Sequence, residues 1–280
     1  MIDWNLYPIG DHRITCPACG RSGKDRTLGI TILAGGHGIA HCFRCGMVES
    51  ARDQREMTPS ERQAYRERMD ALRRDHEAEK IAGQLLAAQA ARVRWEEAKP
   101  ASDEHPYLRA KGVGAHGLRV DRAGALLLPV RDVAGRMCSI QRILPDGAKF
   151  FEPKGRTRGC FYTLAEPHEP VGRMVVCEGF ATGATIREET GDAVAVAFNS
   201  GNLLPVARAL RDAFLLLDLV IAADDDWQTE GNPGLTAARE AARLTGARLA
   251  VPDFTGLHRG PRDTDFNDLR RLAGMAEVHP

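Results

Sequence analysis

Three groups of residues in this 280-residue chain are equipped for chemistry. The first is Glu178, which closes the apolar run Val175-Val176-Cys177 and is followed by Gly179 and Phe180. The second is Asp224-Asp225-Asp226, which closes the run Val220-Ile221-Ala222-Ala223. The third is a set of four cysteines, Cys16, Cys19, Cys42 and Cys45. A carboxylate at the carboxyl end of a buried strand, followed by a turn and a helix, is how open α/β sheets present a functional group. Two successive strand ends with clustered carboxylates suit a hard divalent cation, since without one such acids repel and their pKa values rise. Asp224 and Asp226 are two apart and share a side if extended, whereas Asp225 faces elsewhere. A further acidic group, Asp263, Asp265 and Asp268, follows the last predicted strand. Any one of these acids could equally cap a helix or turn. The Glu-Gly and Asp-x-Asp order on two strand ends is what points to a metal.

The cysteines form two C-x-x-C-G knuckles, Cys16-Pro17-Ala18-Cys19-Gly20 and Cys42-Phe43-Arg44-Cys45-Gly46, with about twenty residues between them. Four thiolates make a closed tetrahedral site, the donor set of one structural Zn²⁺. Between them, Thr27–Ile32 and Gly38–His41 read as two short strands about a Gly35-Gly36 turn, hence a zinc ribbon. His37 and His41 are alternative ligands or solvated residues. Arg13, Arg21, Lys24, Arg26 and Arg44 with Phe43 outline a nucleic-acid surface, although ribbons also dock proteins. Cys138, Cys160 and Cys177 sit in apolar runs and read as small core residues.

Around these groups the chain falls into four stretches: a ribbon over 1–50, a connector over 51–100, a basic subdomain over 101–170 and an α/β domain over 171–280. In the connector, Thr58-Pro59-Ser60-Glu61 is a helix-start signature, and only Gly83 interrupts the helical run to about Lys99. No heptad persists, so a solvated spacer is expected rather than a coiled-coil partner. The basic subdomain reads as a short helix followed by an antiparallel meander, 125–130, 138–143 and 149–151. It carries Arg136, Arg142 and Lys149, then the loop Lys154-Gly155-Arg156-Thr157-Arg158-Gly159, where glycines let backbone approach a phosphate that the cations neutralise. From Arg173, strand and helix alternate with continuously apolar strands, which predicts a parallel sheet with helices on both faces. Lysine plus arginine equal aspartate plus glutamate at 38 each, so bulk charge names no partner. No run approaches the roughly 20 apolar residues of a membrane helix, and no signal peptide is visible, so the expected location is the cytoplasm.

Glu178-Gly179 and Asp224-x-Asp226 within alternating strands and helices resemble the TOPRIM domain of bacterial-type primases, topoisomerases and related nucleases. With the cysteine ribbon and basic subdomain ahead of it, the chain is similar to DNA primases of plasmid and phage type. The runs that carry this likeness are Val175–Ile186, Ala197–Leu203, Ala222–Asp226 with Gly231–Gly234, and Thr264–Leu269. Chromosomal bacterial primases carry an acid four residues after the motif glutamate. Here that position is Thr182, which shifts the expectation to Asp265 and Asp268.

The resemblance implies a primase that makes short RNA primers on single-stranded DNA by two-metal nucleotidyl transfer. Glu178, Asp224 and Asp226 would be catalytic and would bind Mg²⁺ or Mn²⁺, with Glu178 either a ligand or a proton carrier. Arg136, Arg142, Lys149, Lys154, Arg156 and Arg158 would hold nucleoside triphosphates and template. A separate replicative helicase is an expected partner, and a membrane is not. Two other classes stay open: a metal-dependent TOPRIM nuclease, and a non-catalytic single-strand binder of a mobile element.

Overall fold

The computed structural model describes residues 2–20, 25–33, 37–51, 59–165 and 172–278. Arg21, Lys24, the Gly35-Gly36 turn and Thr58 lie outside the described residues, as do the side chains of His37 and Glu61. The chain divides into two compact units, Met1–Arg73 and Arg74–Pro280.

The first unit holds a four-stranded antiparallel sheet in the order β1-β2-β3-β4: β1 (Gly10–Ile14), β2 (Leu28–Leu33), β3 (His37–Cys42) and β4 (Val48–Ala51). The two inner strands are those the apolar pattern predicts. The outer strands are additions. They are half-buried edges with few apolar residues, so alternation does not betray them. Leu28, Ile30, Ala40, Cys16 and Cys42 form the small core.

Helix α1 (Pro59–Glu97) contains the boundary between the units. Its last turns are not a free spacer. Ala91 is buried and Trp95 half-buried against Leu127, Met137 and Ile140 of the following sheet, while Leu85 and Leu86 on another side stay in solvent. The small alanine side chains let the helix approach that sheet closely.

The second unit begins with a five-stranded antiparallel sheet in the order β5-β6-β7-β8-β9: β5 (Lys99–Pro100), β6 (Arg119–Val120), β7 (Leu126–Arg131), β8 (Met137–Ile143) and β9 (Lys149–Phe151), with α2 (Pro106–Lys111) between its first two strands. Then come β10 (Tyr162–Leu164), β11 (Arg173–Cys177), α3 (Phe180–Thr190), β12 (Ala193–Val196), α4 (Leu203–Ala213), β13 (Asp218–Ala222), α5 (Pro233–Thr245), β14 (Arg248–Ala250) and α6 (Phe266–Val278). Their sheet runs β10-β12-β11-β13-β14. The last four are parallel, and β10 pairs antiparallel at the edge. This strand comes from the stretch read as basic subdomain, and three residues are too few to show a period.

Parallel strands need cover on both faces, which the burial of the inner strands reflects: β12 is Ala-Val-Ala-Val and buried throughout, and β11 is buried after its first residue. On one face α4 and α5 contribute Leu203, Val206, Leu210, Leu235 and Ala238. On the other, Phe180 and Ala184 of α3 join Val175, Val194 and Val196, and the same core takes in Leu126, Leu128 and Ile143 of the antiparallel sheet. The cationic sheet is thereby built into one core with the carboxylate-bearing one.

Gly183 marks the tightest contact of α3. A Cβ there would lie 2.9 Å from Val196 Cγ2 and 3.1 Å from both Cys177 Sγ and Leu164 Cδ1. Gly183→Ala is therefore expected to destabilise the second unit by about 1–3 kcal/mol through overpacking, read as a lower urea midpoint at unchanged slope.

Candidate functional site

β11 lies between β12 and β13, with Val176 paired to Ile221 and Cys177 to Val196. Glu178, the residue after β11, and Asp224, two residues after β13, therefore leave adjacent strands at the same edge. Glu178 Oε1 and Asp224 Oδ1 are buried with no hydrogen-bond partner among the described residues. Burial, then the Asp226 charge, pushes the Glu178 carboxyl up to about 7. Burial, then Glu178, Asp265 and Asp226, pushes Asp224 up to about 8. Lys149 opposes both shifts, and the Ser200 backbone N–H, which donates to Glu178, opposes the first. Buried carboxylate oxygens without donors are costly unless a cation compensates them. The donor set is oxygen only, as hard divalent cations prefer, so these residues fit such an ion.

The remaining acids divide by role. Asp226 Oδ2 accepts from Gly234 N at 2.9 Å, in the first turn of α5. A Cβ on Gly234 would lie 2.6 Å from Asp224 O and 2.9 Å from Asp226 Oδ2, so only glycine lets the helix start there. Asp225 faces away, toward Arg259 Nη1 at 2.7 Å and Asn232 Nδ2 at 2.6 Å. Burial raises its pKa, but these two donors outweigh burial and hold it below the usual range. Thr182, in the place of the expected acid, is buried and donates to Asp265 Oδ2 at 2.8 Å. A carboxylate that precedes α6 is thus hydrogen-bonded to the α3 position where an acid was expected. Asp265 Oδ1 also accepts from Asp268 N at 2.9 Å and so caps α6. Asp268 turns back to Thr264 N at 2.9 Å. Burial and the Asp265 charge raise its pKa.

The predicted cations do not form one patch. Lys149 feels the charges of Asp265, Asp224 and Glu178, while crowding by neighbouring atoms and by Lys111 lowers its pKa. Its side of the antiparallel sheet follows from register: Lys149 pairs with Ile143, which packs toward α3, whereas Arg142 pairs with Leu127, which packs toward α1. Directly paired residues share a face and neighbours along a strand do not. Arg142 therefore lies on the opposite face from Lys149. Arg136 and Arg156 both engage buried Asp132, at 2.8 and 3.1 Å. Arg156 Nη2 also donates to Cys138 Sγ at 2.9 Å. The thiol of Cys138 drops to about 6, first through the Cys160 thiol and then through Arg156. Lys154 and Arg158 are exposed and have no ion-pair partner among the described residues.

In the first unit the four cysteine sulfurs lie within 4.8 Å of one another. Cys16 and Cys45 are 3.8 Å apart, and Cys19 and Cys42 are 3.6 Å apart, close to the roughly 3.8 Å edge of a tetrahedron with 2.3 Å metal–sulfur bonds. Cys42 accepts from the backbone N–H of Arg44 and Cys45, which holds its thiol down to about 6. Those N–H groups favour thiolate, the ligand form, so the cluster fits a metal ion. It is the one group of three or more Cys, His, Asp or Glu this tightly drawn together among the described residues. Nearby, Arg13 lies 4.3 Å over the ring of exposed Phe43, and His41 packs against that ring edge-on. Arg44 is instead engaged by Asp25.

Sequence reasoning assigned no role to Lys111, nor to Ser200 within the run Ala197–Leu203. Lys111 acts on the cluster through long-range packing and Ser200 through its backbone N–H, neither of which a local pattern marks. An apolar cavity of about 580 Å³ lies between α3, α6 and the sheet, and no candidate carboxylate lines it.

The raised carboxylates set a pH dependence. Their folded pKa values, about 7 and about 8, exceed the unfolded values near 4. Metal-free protein should therefore lose stability as pH rises from about 4 to about 8. Asp224→Asn, which removes one buried charge, should raise the melting temperature of metal-free protein at pH 8 and change it little at pH 4, as read by thermal denaturation.

Residues 173–276 match the family model of the Toprim domain. Over 163 residues the chain is 40% identical to a DNA primase TraC of Escherichia coli, and 37% identical to a second DNA primase TraC of that organism. Each match covers 55% of this chain, but only 15% and 11% of the relatives' own lengths. Among solved structures, the primase fragment of the bacteriophage T7 primase-helicase protein aligns over 95% of this chain and 97% of its own, at 15% identity and a TM-score of 0.45. The zinc-binding and RNA polymerase domains of the Aquifex aeolicus primase align over 96% and 77%, at 13% identity and a TM-score of 0.46. Glu178 and Asp224 stand on adjacent parallel strand ends and the family match runs from β11 through most of α6, so residues 173–276 are similar to the Toprim domain, in a chain similar to DNA primases.

Proposed function

We propose that the chain is a DNA primase that synthesises short RNA primers on a single-stranded DNA template. The observation that carries this reading is the pair of buried, unpartnered carboxylate oxygens, Glu178 Oε1 and Asp224 Oδ1, within a segment similar to DNA primases. In the reaction, the 3′-oxygen of the growing strand bonds to the α-phosphorus of a nucleoside triphosphate, and pyrophosphate leaves. A bound Mg²⁺ or Mn²⁺ supplies charge for the triphosphate and lowers the pKa of the attacking hydroxyl. Glu178, Asp224 and Asp226 hold it, and Asp265, fixed by Thr182, stands beside them. Asp268 caps the chain at Thr264 and supports Asp265 rather than the ion.

Lys149 faces this acidic cluster and offers charge to a nucleotide phosphate. Lys154 and Arg158 are the exposed loop cations for triphosphate or template. Arg136 and Arg156 shape that loop through Asp132. The four cysteines hold one Zn²⁺, and Arg13 with Phe43 offers a stacking surface to single-stranded bases. A separate replicative helicase is the partner that opens duplex for such an enzyme. Seven free cysteines suit the reducing cytoplasm. No helix among the described residues is long and apolar enough to cross a membrane.

Asp224→Ala should reduce labelled-primer yield on mixed-sequence single-stranded templates about a thousandfold or more, since several kcal/mol of metal-borne charge stabilisation is lost. Primer yield equal to wild type would refute the assignment. Cleavage of labelled single-stranded DNA in Mg²⁺, without nucleotide incorporation, would place the chain among the nucleases instead. Binding with neither reaction would make it a single-strand binder.

Chelation with zinc removal should unfold β1–β4, because a core of this size cannot stand without its metal. The circular-dichroism loss should stop at the first unit, with the second still melting cooperatively.

A further inference from the structure

Asn202 is buried and fully used, and it touches nothing in the cysteine ribbon or the acidic cluster. It ends a 3-10 turn (Ser200–Asn202) after β12. Its Nδ2 donates to Thr157 O at 3.1 Å, Cys160 O at 3.0 Å and Ala197 O at 2.9 Å. Its Oδ1 accepts from Gly159 N at 2.8 Å. Three of these four contacts are with the backbone of the loop before β10, and they fall on both sides of Arg158. One buried amide therefore fixes the Cα of that arginine.

The rest of the loop is held at other points. Lys154 adopts a left-handed φ of +61°, and its stem packs on Gly83 of α1, where a Cβ would lie 3.1 Å from Lys154 Cδ. Gly155 sits so close to Ser139 that any Cβ would overlap it. Arg156 is bound to Asp132 and Cys138. Arg158 alone among the loop arginines is exposed without an ion-pair partner among the described residues. The turn that ends in Asn202 also supplies the Ser200 N–H to Glu178. A five-residue stretch, Phe198–Asn202, thus ties the loop to the carboxylate-bearing edge. It begins at Phe198, which takes a left-handed φ of +73°, a conformation costly for an aromatic residue and retained where the surroundings over-determine it.

We infer that Asn202 is the positioning residue of Arg158, and that this arginine takes a phosphate group of a nucleotide or nucleic-acid ligand at a fixed distance from the Glu178 edge. The inference deepens the primase reading by assigning a phosphate contact and its support. A guanidinium on an ordered backbone loses less freedom on binding than one on a loose loop, so releasing the loop weakens phosphate binding without altering the acidic cluster.

The test is a double-mutant cycle of Asn202→Ala and Arg158→Ala. Binding of a fluorescent ATP analogue and of a labelled single-stranded oligonucleotide is measured separately, which distinguishes triphosphate from template phosphate. For one of the two probes, each single variant should lose about tenfold in affinity. The double variant should lose no more than the worse single, because both act through the same contact. Mn²⁺ affinity, read by electron paramagnetic resonance, should stay within twofold. In primer synthesis, a triphosphate contact would appear as a higher KM for nucleotide with kcat little changed. Losses that multiply in the double variant, or Asn202→Ala within twofold of wild type for both probes, would overturn the inference. Should Asn202→Ala fold poorly, isosteric Asn202→Asp, which can still accept from Gly159, enters the same cycle. In wild type alone, the probe that binds should slow hydrogen exchange at Arg158–Cys160, and unchanged exchange there would also overturn the inference. A wild type that binds a probe but makes no primer would defeat the primase reading and leave the cycle readable. A wild type that primes normally with multiplying losses would defeat only the role of Asn202.

Discussion

The second unit depends on holding like charges together at the edge of a buried sheet. Glu178 and Asp224 leave water, keep one oxygen each without a donor, and sit near Asp226 and Asp265. Left alone they would sooner be protonated than ionised, which their raised pKa values express. The scaffold resists that tension with elements that cannot shift easily. Parallel strands β12, β11 and β13 are apolar and covered on both faces. Gly234 lets α5 begin against the Asp224 carbonyl, and Thr182 pins Asp265 from a buried position. Close packing holds the acidic cluster in place before any ligand binds.

Positive charge is distributed by the same economy. An arginine beside a buried aspartate is worth more as a structural pair than as a free contact, because Asp132 unpaired would be costly. Arg136 and Arg156 are drawn to it, and the loop takes its shape around them. What remains for a ligand is Lys149 on the side of the acids, and Lys154 and Arg158 on the loop surface. The first unit repeats the pattern on a smaller scale: Arg44 is engaged by Asp25, while Arg13 stays over the exposed ring of Phe43.

Much of this was readable from residue order. Strand–helix alternation from Arg173, the acids on strand ends, the paired knuckles and the continuous helix ahead of Lys99 all depend on local pattern, and local pattern survives in sequence. Thr182, at the position where an acid was expected, donates to Asp265, a partner no local pattern could name. Less readable were strands β1, β4 and β10, which are short or half-exposed and so lack a clear period. The packing of the last turns of α1 on the antiparallel sheet was also hidden, since an alanine-rich surface serves solvent and close packing equally well.

The sequence by itself determined which residues could do chemistry and on which kind of element each stands, because type, spacing and hydrophobic period are local quantities. Tertiary structure alone decided which of them meet. Register put Lys149 and Arg142 on opposite faces of one sheet. Long-range packing brought Asp265 to Thr182 across 83 positions and Asn202 to Gly159 across 43. Ion pairing chose which arginines stay free. Those outcomes turn on burial and on competition among partners distant in the chain, and neither is written in the neighbourhood of any one residue.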